Sequence, residues 1–506
     1  MIDGWQHFRK NWLWFEEFGI GLDFSKVFVK SPLSEKELHS ALDAMEKLEG
    51  GSIANATENR RVGHYWLRAP DLAPEKYLTA EISKTFADVK AFATGVVNGE
   101  IAARLGTFSD VLCIGIGGSA LGTQLLADAL AYGSNNLSIH FIDNTDPDGF
   151  VSAVRAIGDR LFRTLVIVTS KSGSTPEPRN GLAVVEDIFR EAGLHFPDHA
   201  VAVSCVGSSL DKRARDERWL ARFPMWDWVG GRTSVTSAVG LLPAALCAID
   251  VDAFISGAAA MDRLTRCREN NPALQLAAAW YGLTGGKGLA DMVVLPYCDR
   301  LSYFPKYLQQ LIMESLGKRL DRKGVEVCQG LTVYGNRGST DQHSYVQQLR
   351  DGLKNFFVIF VEVLRGREQR NSNAMRVAGE YLEGFYLGTR EALADAGRSS
   401  ITITLRSLSA HSLGMLIALF ERAVGFYAEF INVNAYDQPG VEAGKAAADR
   451  ILALRNDVGR FLGGQNIVPN GGDAETVAAA IGRPNDVEMV FKWLEFLRAQ
   501  DDVPRI

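Results

Sequence analysis

The chain of 506 residues carries 54 Lys and Arg against 60 Asp and Glu, a formal net charge of −6, and is 47% hydrophobic. This balance supports sizeable buried cores. It argues against nucleic acid or an anionic membrane surface as partner, while leaving room for a local basic pocket. Six scattered cysteines without a CxxC pair favour a reducing, cytoplasmic setting, and eight histidines without metal-ligand spacing give no reason to expect a metal.

The opening residues, MIDGWQHFRKNWLWFEEF, lack the basic start and continuous apolar stretch of a secretory leader. No run reaches the ~18 apolar residues of a membrane span. Residues 1–74 read as mixed helix and loop, a helical extension whose clearest element is SEKELHSALDAMEKL. Strands and helices then alternate. DVLCIGI (110–116) reads as a strand, GTQLLADALAY as a helix, LSIHFID as a strand, PDGFVSAVRAI as a helix, TLVIVTS as a strand, NGLAVVEDIFREAG as a helix and HAVAVSCV as a strand. Short continuous apolar runs between helical patterns indicate a parallel sheet covered on both faces, an α/β doubly wound domain over 75–250. After a helical stretch at 236–290 the pattern restarts with DMVVLPY, LSYFPKYLQQLIMESLG, GLTVY, TDQHSYVQQLRDGL, FFVIFVEVL and SITITL. This gives a second doubly wound domain over 251–433, followed by a helical arm over 434–506. The cysteines and the aromatic residues of FPMWDW read as core.

Two turns stand out. CIGIGGSALGTQLL (113–126) joins strand to helix through glycines. Gly115, Gly117 and Ala120 fit the loose dinucleotide pattern GxGxxG/A, with Asp143 closing the next strand, so a nicotinamide-dependent oxidoreductase is one reading. The second turn, TSKSGSTPEP, follows a buried strand. Five of its six residues after Thr169 carry a hydroxyl or an amine: Ser170, Lys171, Ser172, Ser174 and Thr175. A terminal phosphate presents three acceptor oxygens, which hydroxyls, backbone N–H groups and a helix N-terminus satisfy. Pro176 suits the first turn of the next helix, with Thr175 or Ser174 as its cap. Ser/Thr clusters also serve as plain caps and turns. Two such turns in neighbouring positions, with Ser119 in the first, favour phosphate.

TSKSGSTPE with GIGGSALG resembles the phosphosugar-binding domain of the sugar isomerase (SIS) family. Four later blocks resemble the glucose-6-phosphate isomerase family within it: GGRTSVTSAVGLLP (230–243), LPYCDRLSYFPKYLQQLIMESLGK (295–318), GSTDQHSYVQQLRDG (338–352) and DQPGVEAGKAAADRIL (437–452). The resemblance implies two mostly parallel-sheet SIS domains and a homodimer with a shared active site. It also implies interconversion of glucose 6-phosphate and fructose 6-phosphate without metal or cofactor. By the same resemblance the base falls on Glu314, the ring-opening histidine on His343, its assisting acid on Glu177, the lysine of the carboxyl-terminal block on Lys445 and the arginine of GGR on Arg232. Substrate-binding positions fall on Gly118, Ser119, Ser170, Lys171, Ser172, Thr175, Gln310 and Gln438. Thr233 stands where tyrosine is common, SALGT where SDLGP is frequent, and Ser172-Gly173 where animal-like members have Thr-Phe.

These residue types suit the chemistry. A carboxylate can take a proton from one sugar carbon and return it to its neighbour. A fixed guanidinium can stabilise the enediolate oxygen that develops. Histidine, which changes charge near neutral pH, and lysine suit ring opening. A non-catalytic phosphosugar-binding regulator is the other reading, as is an isomerase that also accepts mannose 6-phosphate. The spacing of Glu314 and Lys318 also fits an ordinary surface i, i+4 pair.

Overall fold

Apolar runs too short for buried helices settle as strands once helices cover both of their faces. The computed structural model describes residues 4–131, 137–366, 372–463 and 473–501. Its strands are, in chain order, β1 (Trp12–Phe15), β2 (Ile20–Asp23), β3 (Asp110–Ile114), β4 (Ser138–Ile142), β5 (Thr164–Thr169), β6 (Ala200–Cys205), β7 (Ala221–Met225), β8 (Asp291–Pro296), β9 (Lys318–Leu320), β10 (Glu326–Gln329), β11 (Val333–Tyr334), β12 (Phe356–Arg365) and β13 (Ser400–Ser407).

One sheet runs β4-β3-β5-β6-β7, every pair parallel. Alternate residues divide between its two faces. Val111, Leu165, Ile167 and Val201 enter the large core, whereas Leu112, Ile114, Val166 and Ala202 enter a second cluster. The helix Leu121–Leu130, which follows β3, buries Leu125 and Leu126 in the first of these cores. The helix Pro176–Glu191, which follows β5, buries Leu182, Val185 and Phe189 in the second. The chain therefore leaves β3 and β5 toward opposite faces. Such a switch point opens a crevice beyond the strands' carboxyl ends, where doubly wound folds hold ligands.

The second sheet runs β1-β2-β13-β12-β8-β11. Its β11, β8, β12 and β13 are parallel and wound in the same order as the first sheet. The α/β class and the pair of doubly wound sheets are as the sequence indicated. The reading of the first 74 residues as helix and loop is corrected: β1 and β2 form an antiparallel hairpin, and β2 pairs antiparallel with β13, Leu22 opposite Ile403. Ile20 and Leu22 are fully buried there. The strands are four residues each and Gly21 interrupts the apolar alternation, so no periodic signal survives at that length. Cys113 and Cys247 are core residues, but Cys267 and Cys328 are exposed.

Two compact units divide the chain, one through Asp437 and one from Gln438. Both sheets belong to the first. The second is helical, with Leu454, Val458, Val477, Val490 and Leu494 as its core. No helix among the described residues is long and apolar enough to cross a membrane.

Candidate active site

The glycine turn after β3 makes its tightest packing against the GGR segment. A Cβ on Gly118 would fall 2.2 Å from the carbonyl carbon of Gly231, so only glycine allows the two backbones to meet. Ser234 Oγ donates to the Gly118 carbonyl at 3.0 Å and locks the contact. A Cβ on Gly117 would lie 3.1 Å from Gln310 Nε2, which places the Gln310 amide over the same turn. Gly118, Ser119 and Gln310, half-buried, thus line one edge of the crevice together.

The turn after β5 lines the other edge. Ser170 is buried and accepts from Gly173 N at 3.1 Å, while Ser172 and Ser174 share a hydrogen bond of 2.9 Å. Gly173 has φ +73°, and a Cβ there would strike Leu210 N at 2.4 Å. Glycine at the position where animal-like members carry phenylalanine is therefore demanded by this turn. Thr175 occupies the N-cap position of the helix Pro176–Glu191 without a side-chain capping bond. Its hydroxyl is not spent on the helix's first amides. Lys171 behaves differently from the expectation of a direct donor: its ammonium donates to the carbonyls of Asp227 at 2.9 Å and Val229 at 3.0 Å. Burial, with Arg60 nearby, lowers its pKa. Lys171 thus ties the serine turn to the strand of chain that leads into Arg232.

Glu314 lies at the end of a π-helical turn, Gln309–Glu314, that follows the short helix Phe304–Leu308. The sequence pattern predicts one continuous α-helix here; the chain instead widens into a π-helical turn, with Leu308, Leu311, Ile312 and Ser315 buried. Such insertions recur at functional sites. Glu314 Oε1 stands 3.6 Å from Arg232 Nη1, the two side chains being 19% and 7% exposed. Arg232 Nη2 donates to the Asp437 carbonyl at 3.1 Å, and its Nη1 has no hydrogen-bond partner among the described residues. Burial lowers the Arg232 pKa, opposed by Glu314 and Asp437; an arginine so placed still keeps its charge. Behind it, Tyr307 Oη reaches the Arg232 carbonyl at 3.4 Å and Glu421 Oε1 at 3.3 Å. Glu421 belongs to a buried cluster of ion pairs with Arg68, Asp262, Arg422 and Glu49.

Lys318 and Asp437 were not singled out as site residues by the sequence. Lys318 does not form the surface pair that its spacing from Glu314 allows. The helix ends at Gly317, β9 begins, and the lysine turns inward, with its side chain 4% exposed. Its ammonium donates to the carbonyls of Glu314 at 2.8 Å and Asp437 at 3.0 Å and pairs with Asp437 Oδ1 at 3.3 Å. Burial, reinforced by the Arg232 charge, pulls its pKa down to about 8. The signal available in the sequence was the glycine before it, which ends the helix.

His343 is exposed at the carboxyl end of the short helix Gly338–Gln342. The helix predicted over TDQHSYVQQLRDGL breaks there because buried Asp341 accepts from Asn336 N and from Tyr345 Oη, drawing the chain inward. The described contacts within one chain do not join His343 to Glu314. Glu177 lies in the first turn of the helix after the serine turn, half-buried. Gln438 and Lys445 belong to the second unit: Gln438 is the N-cap residue of the helix Pro439–Leu462, on which Lys445 is exposed. No group of three or more potential metal ligands occurs among the described residues.

A switch-point crevice edged with amide and hydroxyl donors, beside a carboxylate facing a buried arginine, suits an enzyme that grips an anion and moves a proton next to it. Comparison with known proteins gives the family. The phosphoglucose isomerase family model matches residues 23–396 and 392–461. A glucose-6-phosphate isomerase of Citrifermentans bemidjiense is 54% identical over 508 residues, covering 98% of this chain and 95% of the relative. Among solved structures, a glucose-6-phosphate isomerase from Chlamydia trachomatis aligns with a TM-score of 0.73 at 25% identity, covering 89% of this chain and 91% of that one. A hypothetical protein from Thermus thermophilus aligns with a TM-score of 0.69 at 29% identity, covering 82% of this chain and 94% of that one. The chain belongs to the phosphoglucose isomerase family.

Proposed function

We propose that this protein interconverts glucose 6-phosphate and fructose 6-phosphate, with the sugar phosphate anchored between the turns after β3 and β5. Ser119, Ser170, Ser172 and Thr175 donate to the phosphate, and Lys171 holds their turn in place. Binding energy remote from the reacting carbons then serves orientation. Glu314 takes the proton from C2 of the open-chain aldose, the C2 electrons form the enediolate double bond, and the aldehyde oxygen takes up the proton that the C2 hydroxyl gives up. Glu314 then returns its proton to C1 as the C2 oxygen re-forms a carbonyl, which completes the ketose with no external oxidant or reductant consumed. Arg232 stabilises the enediolate oxygen through the guanidinium edge that faces Glu314.

Ring opening falls to His343, assisted by Glu177, with Lys445 acting on the sugar oxygens and Gln310 and Gln438 orienting them. On the family resemblance a second copy supplies His343, which is exposed in one chain, and the working enzyme is a cytoplasmic homodimer with shared sites. On this reading residues 75–250 hold the phosphate and 251–433 provide the base. The observation that carries the proposal is the 3.6 Å pairing of Arg232 with Glu314 beside the glycine turn. Purified protein with chelator present is expected to convert fructose 6-phosphate to glucose 6-phosphate in a coupled assay; no turnover above background would overturn it.

A further inference from the structure

Two cations converge on one peptide. Arg232 Nη2 and Lys318 Nζ both donate to the Asp437 carbonyl, at 3.1 and 3.0 Å. The Asp437 carboxylate beside it is held on one oxygen by Thr57 Oγ1 at 2.6 Å and on the other by Lys318 at 3.3 Å. Guanidinium groups favour two-point pairing with carboxylates. With its hand on the Asp437 carbonyl, Arg232 sits next to a carboxylate that would compete with Glu314 for it. Lys318 already occupies that carboxylate. The same ammonium donates to the Glu314 carbonyl at 2.8 Å, on the peptide that carries the base. The charged groups facing Lys318 are thus Arg232, Glu314 and Asp437.

We infer that Lys318 is a positioning residue for the proton transfer: by neutralising Asp437 and pinning the Glu314 and Asp437 peptides, it keeps the free edge of Arg232 turned toward Glu314. This rests on the isomerase reading and adds to it a residue that touches no reacting atom. Because the phosphate is gripped elsewhere, loss of Lys318 is expected to act on kcat and to leave KM near the wild-type value.

The test is steady-state kinetics on fructose 6-phosphate with the full-length chain. Lys318→Met is expected to lower kcat about 10²-fold, the scale of a small misplacement of reacting groups, with KM held. The double variant Lys318→Met/Asp437→Asn removes the competing carboxylate and is expected to recover a large part of that loss, which a merely structural role for Lys318 would not produce. Wild-type kcat in Lys318→Met, or a loss that the second substitution leaves untouched, overturns the inference. If Lys318→Met does not fold, Lys318→Gln decides: it keeps donors for the two carbonyls but no charge, so its kcat must fall at constant KM, and an unchanged kcat overturns the inference. A wild-type enzyme without turnover would instead refute the isomerase reading itself.

Discussion

Arg232 and Glu314 meet across 3.6 Å although one arises from the chain after the first sheet and the other from the π-helical turn that follows β8. Gly231, the residue before Arg232, packs backbone against backbone on Gly118. Arg232 Nη1 has no hydrogen-bond partner among the described residues, and on the proposed mechanism it is the edge that meets the developing oxyanion. Replacing Arg232 with lysine keeps one positive charge but loses the fork that reaches Asp437 and Glu314 together. The expected outcome is a fall in kcat of about 10²–10³, the effect of removing one preorganised donor from a developing oxyanion, with a smaller change in KM. Steady-state kinetics of Arg232→Lys on fructose 6-phosphate checks this, and equal kcat would remove Arg232 from transition-state stabilisation.

Gly173 offers a test of the phosphate grip that spares the reacting groups. With φ +73° and a Cβ that would meet Leu210 N at 2.4 Å, Gly173→Ala must distort the serine turn, at a local cost of about 1–3 kcal/mol. Inhibition by inorganic phosphate should weaken and KM should rise, while kcat measured at saturating substrate changes less. A variant with wild-type phosphate inhibition would show that the turn does not bind the anion.

His343 and Glu314 should complement each other between chains. Glu314→Gln and His343→Ala are each expected to be nearly inactive as purified variants. Mixed under conditions that exchange subunits, they should regain activity, because one of the two sites in a mixed dimer then carries both native residues. Activity that stays at the level of the separate variants would argue that each site is built within one chain.

A pair of carboxylates links β12 to the helix Asn373–Asp395. Glu362 on β12 accepts from Thr404 Oγ1 at 2.6 Å and hydrogen-bonds Glu383 on the helix Asn373–Asp395, and burial together with Glu362 raises the Glu383 pKa to about 7. The folded protein therefore binds more protons at Glu383 than the unfolded chain does between its ordinary value of 4.5 and about 7. Its stabilising contribution is complete below that window and is lost as pH rises through it. Denaturant midpoints should show Glu383→Gln gaining on wild type as pH rises from 4.5 to about 7, the window bounded by the two pKa values. A constant difference across that range would contradict the pairing.

Much of this architecture was legible in the sequence for a physical reason. Strands such as TLVIVT are covered on both faces, so their apolar runs are unbroken, and the turns after β3 and β5 announce themselves through glycine and hydroxyl residues. What escaped were features fixed by distant contacts. The hairpin β1–β2 depends on pairing with β13, far along the chain. The π-helical turn at Gln309–Glu314 and the break at His343 are imposed by packing and by buried Asp341, neither visible as local periodicity. Lys318 was hidden by the same assumption: at four residues from Glu314 on a continuous helix it would face solvent, whereas past the end of that helix it points inward. The place of Lys171 among the serines suggests a phosphate donor, whereas its two contacts with the carbonyls of Asp227 and Val229 are set by the fold and have no local sequence signal.

The proton-transfer role of Glu314 is tested most directly by following fructose 6-phosphate in deuterated water by NMR with wild-type protein and with Glu314→Gln. Wild type is expected to yield glucose 6-phosphate carrying solvent deuterium at C2, and the variant to bind the sugar phosphate yet give neither product nor exchange, a loss of at least about 10²–10⁴ in rate. Wild-type exchange in Glu314→Gln would contradict the account.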